Sequence, residues 1–142
     1  MPTEIRDRQG ALKCPRAAIR RTVAAVLRQE GKRAELSVAL VGDPEMAGLN
    51  ERYLGHAGPT DVLAFPYGTE GDCVRGEVVV NADRAVAEAQ GRSHSAEAEL
   101  MLYVVHGLLH LLGYDDAKPG KRREMRRREA ELLAAAGYEV DF

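Results

Sequence analysis

Apolar positions along the chain switch between two periods, and the switches mark its elements. Ile19, Val23, Val26 and Leu27 recur at helical spacing between Arg16, Arg20, Arg21 and Arg28. This predicts a helix over Pro15–Glu30, with Gly31 as its stop. LSVALVG (Leu36–Gly42) alternates and is rich in Val, the pattern of a strand. Asp43-Pro44 has the form of an N-cap followed by proline at the first helical position, and predicts a short helix to about Tyr53. GHAGPT (Gly55–Thr60) is a loop, DVLAFP (Asp61–Pro66) a second strand, Tyr67–Asp72 a turn region, and GEVVVN (Gly76–Asn81) a third strand. Ala82–Gln90 forms a helix that ends near Gly91. Ser95 caps the next helix, which runs to about Leu112 and is apolar nearly all round, so it should be central and buried. Pro119 opens a last helix that reaches about Ala136 and stops at Gly137. The N-terminal segment is a candidate for one further short strand. Strands and helices segregate rather than alternate strictly, which favours an α+β fold: a small mixed β-sheet with helices packed on it.

Composition narrows the class. A chain of 142 residues suits one compact domain, residues 1–142, and 45 % hydrophobic content can furnish its core. A net charge of −2 does not describe a generic polyanion binder. No apolar run is long enough to cross a membrane, and MPTEIRDRQG lacks the apolar stretch of a secretory signal, so a cytoplasmic protein is expected. Cys14 and Cys73 form no metal-type pair and read as reduced thiols.

Chemistry concentrates in His106-Gly-Leu-Leu-His110-Leu-Leu-Gly113-Tyr-Asp115-Asp116. His106 and His110 are one helical turn apart, so both imidazoles project from one face of the buried helix. Gly113 can end that helix in a left-handed conformation and let the chain reverse. Asp115 or Asp116 can then return as a third ligand, leaving one coordination position open, as a catalytic zinc site requires. The competing reading is a packed, hydrogen-bonded histidine pair with no ion.

The run HGLLHLLGYD closely resembles the HGxLHLxGYDH signature of the YbeY family of ribosomal-RNA maturation endoribonucleases. Leu49-Asn50, PTDVLAFP (Pro59–Pro66), which is similar to that family's PT(D/N)VLSFP block, and GEVVV (Gly76–Val80) extend the resemblance over about residues 36–130. It implies a zinc-dependent, single-strand-specific RNA hydrolase acting on ribosomal RNA in small-subunit maturation and ribosome quality control. It also implies an α+β fold with the metal at the mouth of a cleft, and one zinc per chain. The family's first two histidine ligands fall on His106 and His110, and its third falls on Asp116. An aspartate there can still bind zinc, but an anionic oxygen ligand also admits a harder divalent ion. At Leu54 the family often carries arginine, so a phosphate-contacting guanidinium is missing, with Arg52 or His56 as candidate substitutes.

Gly107 stands where zinc proteases carry the glutamate base of HExxH, which disfavours a peptidase. Asp115, His56 and a metal-activated hydroxide are the candidate general bases. Lys118, Lys121, Arg122, Arg123, Arg126, Arg127 and Arg128 crowd the last helix and could hold RNA phosphates. The alternative there is a solvated face on which Glu124 and Glu129 make pairs along the helix. Thr60 and Asp61 read as residues that shape a strand start, and His94 as surface. No aromatic stripe for base stacking is visible. Two other functions stay open: a non-catalytic ribosome-associated factor with a structural metal, and another metallohydrolase.

Overall fold

A computed structural model describes residues 3–141. Its elements in chain order are β1 (Glu4–Arg8), α1 (Arg16–Glu30), β2 (Arg33–Val41), α2 (Asp43–Leu54), β3 (Val62–Glu70), β4 (Cys73–Asn81), α3 (Ala82–Ala89), α4 (Ala96–Leu111) and α5 (Pro119–Ala135). The sheet order is β1-β2-β4-β3, with β1 and β4 parallel to β2 and β3 antiparallel to β4. This is the mixed sheet of an α+β fold.

Alternation along the strands sorts side chains onto two faces. Ile5, Leu36, Val38, Leu40, Val78 and Val80 turn to one face and meet α1, α4 and α5 in the main core. Ala39, Val41, Leu63 and Val79 turn to the other and are covered by Met46 and Leu49 of α2. Helix α4 touches β3 and β4 of the sheet and α1, α3 and α5 of the helices. Its all-round apolar surface follows from that position. At Gly107 it lies close on the sheet: a Cβ there would lie 2.6 Å from Val78 Cγ1 and 3.0 Å from Val62 Cγ2.

Two local expectations change. Tyr67–Asp72 is mostly not a turn. Strand β3 continues through Glu70, with a register shift between Pro66 and Gly68, so the hairpin tip moves to Gly71-Asp72. A bulge absorbs the proline and glycine that suggested a turn. Asp43 does not cap α2. Gly42 holds the N-cap position, and the side chain of Asp83, from α3, accepts from the Asp43 backbone N–H at 2.8 Å. Asp43 Oδ1 instead accepts from buried Asn81 Nδ2 at 2.7 Å. Asn81 Nδ2 also donates to the Thr60 carbonyl, and Asn81 Oδ1 caps α3. The cap of α2 is thus supplied across space, which no local pattern records.

His94 is also not surface. Its side chain is only 4 % exposed. Its Nδ1 accepts from the Asp141 backbone N–H at 2.9 Å, so Nε2 carries the proton and donates to buried Glu99 at 2.6 Å. The C-terminal segment folds back to cover it.

Candidate metal centre

Helix α4 aims His106 and His110 from one face, their rings meeting edge to face with centroids 4.7 Å apart. The helix closes in a Schellman motif: Tyr114 N–H reaches the Leu109 carbonyl at 3.0 Å and Gly113 N–H reaches that of His110 at 3.1 Å, with Gly113 at φ 103°. That reversal returns Asp116 to the imidazoles. The two Nε2 atoms are 3.2 Å apart, and Asp116 Oδ2 is 3.5 Å from each. Zinc bonded at about 2.0–2.1 Å to nitrogen and oxygen in a tetrahedron requires donor separations near 3.3 Å. The donor set and its spacing therefore fit one small divalent ion. Asp115 turns elsewhere: its Oδ1 accepts from the Ala117 backbone N–H, and it shares a separate hollow with Lys121.

A fourth residue joins this group. Glu129 of α5, only 4 % exposed, hydrogen-bonds His106 Nδ1. A carboxylate on Nδ1 places the ring proton there and leaves Nε2 as a free lone pair aimed at Asp116 and His110, the arrangement that orients metal-binding imidazoles. Burial pulls the His106 pKa down, but the bond to Glu129 and its charge, with those of Asp116 and Asp61, more than offset this, so the pKa lies above the ordinary histidine value. Glu129 does not sit on a solvated face. The buried side chains of α5 are Met125, Glu129, Leu132 and Leu133. An acid on a helix's apolar stripe is a legible signal, hidden here by the arginines around it.

These residues stand at one wall of a cleft of about 560 Å³. Asp61, the start of β3 from Val62 to Pro66, Tyr53 and Leu54 from the end of α2, and Gly107 of α4 line the rest. Asp61 shapes the strand start: its Oδ1 accepts from the Val62 N–H at 2.8 Å and from the Thr60 hydroxyl at 3.3 Å. Buried Asn50 donates to the Gly58 carbonyl at 2.9 Å and ties the Gly55–Thr60 loop to α2. His56, on that loop, is exposed and is not among the cleft-lining residues. Arg52 is exposed and is not among the cleft-lining residues, but its guanidinium lies over the ring of Tyr53, which is, with its carbon 5.9 Å from the ring centre. Arg122 Nε donates to the Asp116 carbonyl at 3.2 Å and so braces the returning turn. Lys118 and Lys121 are exposed at the start of α5.

Comparison with known proteins gives a consistent result. A family model described as endoribonuclease YbeY matches residues 4–137. Proteins named endoribonuclease YbeY are similar to the chain: one from a Nocardioides strain is 45 % identical over 113 residues, covering 72 % of this chain and 74 % of that protein. Another, from Carboxydothermus hydrogenoformans, is 38 % identical over 122 residues, covering 85 % of each. Among solved structures, the solution structure of a Thermotoga maritima protein matches with a TM-score of 0.67 at 27 % identity, over 94 % of this chain and 88 % of that one.

Proposed function

The chain belongs to the YbeY endoribonuclease family, and from that premise we propose that it is a metal-dependent endoribonuclease of one domain, holding a single zinc ion on His106, His110 and Asp116. The observation that carries this reading is the triangle of Nε2, Nε2 and Oδ2 atoms, separated by 3.2 and 3.5 Å, at the wall of an apolar cleft. The substrate is single-stranded ribosomal RNA and the setting is maturation and quality control of the small ribosomal subunit in the cytoplasm, in keeping with the family resemblance of HGLLHLLGYD and PTDVLAFP.

A bound divalent ion supplies two things: a water acidic enough to attack near neutral pH, and a positive charge to polarise a phosphoryl oxygen. The protein does the rest. Glu129 fixes the orientation and tautomer of His106. Asp116 brings an oxygen donor and a negative charge, which widens the choice of ion toward magnesium or manganese. Arg122 holds the turn that presents Asp116. Lys118, Lys121 and Arg122 lie at the start of the cationic helix, close enough in sequence to Asp116 to take the flanking phosphates. The absence of any side chain at Gly107 leaves the site without the glutamate a zinc protease needs, and no Cβ fits there.

The test pairs metal content with RNA cleavage. One zinc per chain is expected, with cleavage of a single-stranded oligoribonucleotide lost in His110→Ala while the far-ultraviolet circular dichroism stays unchanged. Equal cleavage by thoroughly chelated protein would overturn the reading.

A further inference from the structure

Among the described residues, three large apolar or aromatic side chains are markedly exposed, Tyr67 at 63 %, Tyr53 at 57 % and Leu54 at 52 %. Tyr67 stands apart, its hydroxyl directed to Glu77. Tyr53 and Leu54 are adjacent, and both line the cleft that contains His106, His110 and Asp116. Exposed apolar surface in a concave site beside polar ligands marks a binding surface.

The surface has a definite shape. Tyr53, from the end of α2, meets Phe65, from β3, edge to face, with ring centroids 5.3 Å apart and planes at 68°. The two rings come from segments separated by the Gly55–Thr60 loop, which Asn50 clamps. Phe65 also packs on the α2-side core, so it fixes one edge of the Tyr53 ring while much of that ring stays open to solvent. Pro66 and Leu54 continue the apolar wall, and the Arg52 guanidinium lies over the Tyr53 ring, its carbon 5.9 Å from the centroid, which brings a cation beside that wall. A phosphate gains nothing from such a wall. A nucleobase does, because its flat face buries apolar area on an aromatic ring while its own phosphate reaches the neighbouring cation.

We infer that Tyr53, braced by Phe65, is a stacking platform for one nucleobase of the RNA next to the bond that is cut. The inference rests on the endoribonuclease reading and adds a base subsite to it. Leu54 belongs to that subsite as apolar wall, in a position where the family often carries a cationic phosphate contact. Stacking of this kind accepts any base, since each offers a π-face. The platform therefore selects for a base free to leave its neighbours rather than for a sequence.

The experiment measures binding apart from cleavage. Short single-stranded oligoribonucleotides carry 2-aminopurine, or an abasic nucleotide, at successive positions, and are titrated into the wild-type, Tyr53→Ala and Tyr53→Phe proteins. Stacking predicts quenching of 2-aminopurine at one position on binding to wild type and to Tyr53→Phe. It predicts loss of that quenching in Tyr53→Ala, with affinity lower by about five- to a hundredfold. The abasic nucleotide at that position should weaken wild-type binding by a similar factor and leave Tyr53→Ala unaffected. Because Tyr53 is largely exposed, the Ala variant should keep the wild-type melting temperature. Phe65→Leu, which withdraws the brace, should lower the quenching in part. Tyr53→Ala that binds and quenches as wild type, or abasic substitution without effect at every position, overturns the platform. Bound, quenched RNA that no metal-loaded protein cleaves would leave the platform standing and remove the endoribonuclease reading instead.

Discussion

Glu129 decides what His106 can do. An imidazole on a helix can present either nitrogen outward, and the buried carboxylate on Nδ1 removes the choice. Glu129→Gln keeps the volume but exchanges a charged acceptor for a neutral group that can also donate. Divalent-metal affinity is expected to fall by about 10- to 100-fold, the usual cost of losing an outer carboxylate from a metal-bound histidine. Competition against a chromophoric chelator would measure it, and an unchanged affinity would mean that Glu129 is merely a buried acid. The two imidazoles that share a helix face, His106 and His110, are legible from spacing alone. Glu129 is legible only as an acid on an apolar stripe; its pairing with His106 is not, because the two lie 23 residues apart on different helices. Spacing leaves Asp115 and Asp116 open; the resemblance of HGLLHLLGYD points to Asp116, and the structure brings that carboxylate to the imidazoles while Asp115 accepts from the Ala117 N–H.

At the scale of elements, Gly107 sets how closely α4 lies on the sheet. The β-branched Val78 and Val62 have few rotamers with which to yield to a new methyl group. Gly107→Ala should therefore destabilise the protein by about 1–3 kcal/mol through overpacking, less up to about 1 kcal/mol from better helix propensity. Denaturant melts would read this, and Val78→Ala in the same chain should recover part of the loss. A second junction lies where α5 ends. Its Schellman turn, with Tyr138 N–H on the Leu133 carbonyl at 2.8 Å, swings Tyr138 back to the first turn of α4. There its hydroxyl donates to Glu97 at 2.6 Å. Burial, then the bond to Glu97 and its charge, push the Tyr138 pKa up from 10.0 to about 12. The unfolded chain thus loses this proton before the folded one does, so the contribution is complete below pH 10 and fades as pH rises toward 12. Tyr138→Phe should flatten that part of the alkaline stability profile, which urea melts between pH 9 and 12 would show.

For the whole molecule, the candidate centre ties together the end of α4, the turn after it and, through Glu129, α5. An ion bound there would bind the folded state far better than the unfolded one. At a free concentration a thousand times its dissociation constant it would add about 4 kcal/mol of stability. Chelation should therefore lower the melting temperature by several degrees, with recovery on adding zinc back, and His110→Ala should abolish that response. A melting temperature indifferent to both treatments would place the ion, if any, elsewhere.

The sequence by itself determined the helices and strands of the α+β fold, the burial of α4 and the pair of imidazoles on one of its faces, because periodicity and helical spacing are local properties written in consecutive residues. Tertiary structure decided the capping of α2 by Asp83, the run of β3 past Pro66, the burial of His94, the bond from Glu129 to His106 and the meeting of Tyr53 with Phe65. Each of these joins groups that the chain separates. Their energies come from desolvation and close approach, which depend on where elements pack and not on the order in which residues occur.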